Sequence, residues 1–127
     1  MHTPWGKAQK IKTISKGFRF VVADKQAGFM ISNGLAKKEL SDIAQTKGIP
    51  YGNYLFFEKT QHWAIPMYES TEFFNLCLDF FQKDTETLQQ MMFHSLSLWH
   101  GDYLLQKGVT PEPTRYERFL QRQQHVS

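Results

Sequence analysis

Residues 9–31 read Gln9-Lys10-Ile11-Lys12-Thr13-Ile14-Ser15-Lys16-Gly17-Phe18-Arg19-Phe20-Val21-Val22-Ala23-Asp24-Lys25-Gln26-Ala27-Gly28-Phe29-Met30-Ile31, and this stretch decides the fold. Its side chains alternate with the period of a strand. Lys10 and Lys12 fall on one side and Ile11 on the other; Phe18, Phe20 and Val22 share a face, with Arg19 and Val21 opposite. Ser15-Lys16-Gly17 supplies a short turn whose glycine is free to take positive φ, and Ala23–Gly28 supplies a polar one. A β-meander is therefore expected, its third strand starting at Phe29 and ending at Ser32-Asn33-Gly34.

Working outward, Leu35, Ala36, Leu40, Ile43 and Ala44 fall at helical spacing, so Leu35–Lys47 is predicted as one helix stopped by Gly48. Ile49-Pro50 and Gly52 read as a loop. Asn53–Glu58 and His62–Tyr68 are predicted as strands around a Lys59-Thr60-Gln61 turn, the second at an edge or bent because of Pro66. Thr71–Lys83 carries a wide apolar stripe (Phe73, Phe74, Leu76, Cys77, Leu78, Phe80, Phe81) behind a Glu69-Ser70-Thr71 cap. A third helix is expected from Asp84 or Thr85 to about Trp99, with Leu88, Met91, Met92, Leu96 and Trp99 inward and Gly101 as its cap. Asp102–Lys107 adds a further turn. Thr110-Pro111-Glu112-Pro113 forces an extended course, with a last short helix at Tyr116–Gln123.

The expected fold class is α+β: an antiparallel sheet of four to five strands in the order β-β-β-α-β-β-α-α, with helices packed on one face. Residues 1–108 form the single domain in this reading, and 109–127 an extended C-terminal segment. The length of 127 residues suits one domain, and 11 Phe, 5 Tyr and 3 Trp supply a core without staples. Cys77 is alone, so a disulfide scaffold is excluded, and its place on the apolar stripe predicts an inert buried thiol. The start of the chain has no apolar leader and no run spans a bilayer, so a cytoplasmic protein is expected, with no membrane partner.

Charge is the informative part of the composition. Residues 1–60 carry ten Lys and Arg against four acids, a net of +6; residues 61–127 carry five against eight, a net of −3. Lys7, Lys10, Lys12, Lys16, Arg19 and Lys25 fall within nineteen residues that hold one acid, Asp24. This basic meander is the candidate binding surface, suited to an acidic protein or to a phosphate backbone. Solvated edge lysine is the commoner use of such charge.

Motifs of known chemistry are missing. The five histidines, His2, His62, His94, His100 and His125, stand in no ligand pair, so no metal and no cofactor is expected. No glycine pattern opens a helix as a phosphate loop, and Ser95 and Ser97 sit in no nucleophile elbow. His100 and Asp102 are the least unfavourable catalytic dyad, and no catalytic residue is assigned.

Thr3-Pro4-Trp5-Gly6-Lys7-Ala8-Gln9 followed by a strand pair resembles the opening of an uncharacterised bacterial family, the "TPWG" domain of plasmid, phage and integrative-element proteins. Ala27-Gly28-Phe29 with Ser32 is similar to its next turn, and His62-Trp63-Ala64-Ile65-Pro66 to a later segment. Trp99-His100-Gly101-Asp102-Tyr103 is comparable without the family's proline, and Arg115-Tyr116-Glu117-Arg118-Phe119 resembles its charged end. The resemblance implies a mobile-element setting and assigns no activity to any residue. The expectation is a small non-enzymatic protein that docks on a host protein complex, a counter-defence inhibitor of the anti-CRISPR type being one form of it. The alternatives are an accessory protein binding nucleic acid through the basic meander, and a small enzyme.

Overall fold

The computed structural model describes residues 1–113 and 121–123. The chain runs β1 (His2–Thr3), β2 (Gly6–Ser15), β3 (Phe18–Ala23), β4 (Ala27–Ser32), α1 (Asn33–Glu39), α2 (Asp42–Lys47), β5 (Ile49–Tyr51), β6 (Tyr54–Glu58), α3 (Ala64–Glu69), α4 (Thr71–Phe81), α5 (Thr85–Trp99) and α6 (Gly101–Gln106). All strand pairings are antiparallel, in the order β1-β2-β3-β4-β6-β5, and the sheet is nearly barrel-shaped. The α+β class and the β2–β3–β4 meander are as the alternation predicts. The sheet has six strands rather than four to five, because the two-residue β1 and the three-residue β5 are too short to show a period.

Aromatic rings join sheet to helices. Phe18 on β3 stacks on Phe29 of β4 (5.3 Å between centroids) and on Phe73 of α4 (4.5 Å). Phe20, Phe80 and Phe81 extend the seam along α4. The opposite sheet face holds a second, smaller core of Trp5, Val21, Ala23, Met30 and Phe56. Trp5 reaches it from the β1–β2 turn, where Thr3 Oγ1 accepts from Trp5 N and donates to Gly6 O, with Gly6 at φ 100°. Its ring meets Phe56 edge-on at 5.4 Å. Gly28 makes the room: a β-carbon there would collide with the Phe57 carbonyl and lie 2.7 Å from the Trp5 ring. The Thr3–Gly6 and Ala27-Gly28 motifs, distant in sequence, are thus the two halves of one packing contact.

Three sequence expectations are corrected. His62–Tyr68 is no strand: Ala64–Glu69 is helix α3, which packs against α2, α4 and α5. Ala64, Ile65, Pro66 and Met67 are all buried, and a short helix buried all round has no period to read. Pro66 sits in its first turn, where no amide is needed. The predicted helix over Leu35–Lys47 is two helices, because Ser41 leaves the helical conformation and caps α2 through Oγ to Ala44 N (3.2 Å). Gly101 does not end α5. His100 is the cap residue shared by α5 and α6, and Gly101 opens α6. The predicted helix at Tyr116–Gln123 lies largely outside the described residues; 121–123 are helical.

A buried carboxylate ties the helices together. Glu69, with its side chain 5% exposed, accepts from Tyr103 Oη and from Ser41 N (2.6 Å) and pairs with Lys107 Nζ (2.8 Å). Burial opposes the charge, but Lys107, Tyr103 and Ser41 outweigh it and hold the Glu69 pKa below the ordinary carboxylate value. Burial, with Glu69 adding to it, pushes the Tyr103 phenol up, so it remains a donor.

Two stability outcomes follow. Phe18→Ala, which empties the centre of the seam, should cost about 3–5 kcal/mol in urea unfolding. Glu69→Gln should cost about 1.5–3 kcal/mol at neutral pH. Because the folded Glu69 pKa is depressed, its contribution is fully present above the unfolded carboxylate pKa and is lost as pH falls through the folded one. The gap between wild type and Glu69→Gln should therefore close in acid, which urea titrations at stepped pH would measure.

Candidate basic docking edge

The meander positions its basic residues by strand geometry. Lys12 pairs across to Phe20 and its Nζ lies 5.4 Å from the Phe80 ring centroid, so Lys12, and Lys10 two residues before it, project on the helix side. Arg19 pairs across to Met30 and projects on the opposite face, its guanidinium 6.0 Å from the Tyr54 ring, with Nε buried and without a hydrogen-bond partner among the described residues. Lys16 sits in the β2–β3 turn beside Gly17 (φ 79°). Lys7 and Lys25 lie at the other end of the hairpin, where Lys25 N donates to Trp5 O. The structure therefore brings Lys10, Lys12 and Lys16 onto one strand and its turn, and sends Arg19 to the other face.

That strand is the open edge of the sheet. β1 pairs only with Gly6 and Lys7 of β2, and Ala8 N donates to Met1 O. From Gln9 to Ser15 no described residue pairs with its outer side. Lys10, Ile11, Lys12 and Thr13 are all exposed. Asp24, the one acid of residues 7–25, is occupied by Lys7 N (3.2 Å) and Gln9 Nε2, across the irregularity in pairing between Ala8 and Lys10. Among the described residues, none of Lys7, Lys10, Lys12, Lys16, Arg19 and Lys25 makes an ion pair; the four pairs present are Lys47–Asp102, His62–Glu58, His94–Glu112 and Lys107–Glu69.

The remaining candidates are engaged otherwise. His100 Nε2 bonds the Gln61 carbonyl (2.6 Å), and its ring meets His62 at 4.7 Å. Burial lowers the His100 pKa, and neighbouring His62 and Lys47 add to that against the pull of the Gln61 carbonyl and Asp102. Asp102 is exposed and pairs with Lys47 (3.5 Å), so the two residues do not form a dyad. Cys77 is buried, and burial pushes its thiol up to about 12. Among the described residues, no three His, Cys, Asp or Glu side chains converge as a metal site, and no helix is long and apolar enough to cross a membrane. A shallow groove of about 330 Å³ between α1, α2 and β5 has Lys37 as its one charged lining residue.

Sequence reasoning missed one surface. Trp99 and Met91, expected inside α5, are exposed (50% and 39%), as are Leu98 (61%) and Leu105 (63%). Leu88 and Leu96 are buried as the pattern requires, and α5 packs against α3 and α6.

A family model described as Domain of unknown function (DUF7007) matches residues 1–124. No curated protein and no solved structure matches the chain.

Because Lys10 and Lys16 are exposed and make no ion pair among the described residues, Lys10→Glu/Lys16→Glu should leave stability within about 0.5 kcal/mol of wild type. Urea unfolding of the double variant checks this.

Proposed function

The chain belongs to the DUF7007 domain family, and we propose that it is a small non-enzymatic binding protein that docks on an acidic surface of a partner protein. One observation carries the proposal: from Gln9 onward the open edge of β2 with its turn presents Lys10, Lys12 and Lys16, and among the described residues none of them pairs with an acid. Unpaired charge on one side of a small protein steers association and is strengthened when an opposite surface meets it. The exposed Leu98, Trp99 and Leu105 of α5 and α6 add apolar area of the kind protein interfaces use.

The setting we propose is the one the TPWG resemblance implies, a bacterial mobile element. The partner is then a host complex, engaged as an inhibitor of the anti-CRISPR type would engage it. A protein partner is favoured over nucleic acid by the distribution of charge. Lys10 and Lys12 project to the helix side and Arg19 to the opposite face, so the basic residues line an edge rather than one groove that a phosphate backbone could follow.

Affinity capture from bacterial lysate at about 0.15 M salt tests the reading. Wild type should retain an acidic protein that Lys10→Glu/Lys16→Glu does not, and raising salt several-fold should release it. Equal capture by the variant, or none by either, overturns it. A shifted DNA or RNA band that the same variant abolishes would transfer the edge to nucleic acid.

A further inference from the structure

We infer that the partner is held by strand addition: an extended acidic segment of the partner protein pairs along β2 as the next strand of the sheet. The inference rests on the docking reading above and says how that docking is made.

The geometry asks for a strand and not just for a charged surface. β2 is ten residues long, or about 30 Å at the usual rise, and from Gln9 onward no described residue pairs with its outer side. Alternate backbone N–H and C=O groups along such an edge point outward and are satisfied equally well by water or by an incoming chain. On the helix side, the neighbours of an added strand would be Lys10 and Lys12, held up by Phe20 and Phe80 beneath them. On the opposite face they would be Ile11, 41% exposed, and Thr13. Same-face neighbours on adjacent strands interact, so the segment that fits is acidic at every second residue and β-branched at those between. A second copy of the chain is the wrong occupant, because edge-to-edge pairing would set Lys10 and Lys12 against their own counterparts.

The test selects displayed random ten-residue peptides on the full chain and synthesises those enriched. The expected peptides alternate Asp or Glu with Val, Ile or Thr. Their binding should slow hydrogen exchange and shift amide resonances across Gln9–Ser15, and weaken roughly tenfold or more in Lys10→Glu/Lys16→Glu. Each peptide is then remade with one alternate set of its amides N-methylated, and again with the other set. Charge is unchanged, but only one set faces β2, so one version should lose binding and the other keep it. Retention by both versions, loss by both, enrichment of peptides without acids, no enrichment, or shifts centred on Trp99 would each overturn strand addition. If the lysate partner is still captured through Lys10 and Lys16 in those cases, the docking reading stands without it.

Discussion

The stacking of Phe18 between Phe29 and Phe73 is the contact on which the rest of the molecule depends. It joins two neighbouring strands to a helix more than forty residues further along the chain from the nearer ring, and the other rings of the seam pack around it. Once β3 and β4 commit that face to α4, with β6 continuing the sheet beyond β4, β2 lies to the outside, and past its short pairing with β1 it has only β3 as a paired strand among the described residues. Its exposure, and the freedom of its lysines, are consequences of where the core is centred.

Two further constraints keep that arrangement from relaxing. Trp5 closes the second face of the sheet from the N-terminal turn, and the missing side chain of Gly28 is the condition for it. Glu69 gathers Ser41 from the start of α2 and Tyr103 and Lys107 from α6 and its end. A buried carboxylate tolerates such a position only when its partners are all present, so the network rewards one helix arrangement over near alternatives. Both features hold the scaffold that presents the edge.

Legibility followed the length and one-sidedness of each element. α4 could be read because it buries one face over enough residues to show a period, and the meander because polar and apolar residues alternate along β2 between clear turn residues. α3 could not, because Ala64–Met67 are buried on all sides and a short apolar run looks the same as a strand or a helix. The break between α1 and α2 had a local signal in Ser41-Asp42, outweighed in the pattern by apolar residues continuing across it. Trp99 was misplaced because a stripe marks a possible buried face, while the neighbour's size decides how much of it is covered.

The sequence by itself determined that the chain is an α+β domain with an antiparallel meander, that its core is aromatic, and that its basic charge is concentrated in Lys7–Lys25. These are properties of local alternation and composition, which need no knowledge of distant contacts. Only the packing of distant segments shows that β2 is an open edge from Gln9 onward, that its Lys10 and Lys12 lie on the helix side with Arg19 opposite, and that Asp24 is already occupied. Those facts depend on which strands pair and what lies across them, and pairing is set by contacts between residues far apart in the chain.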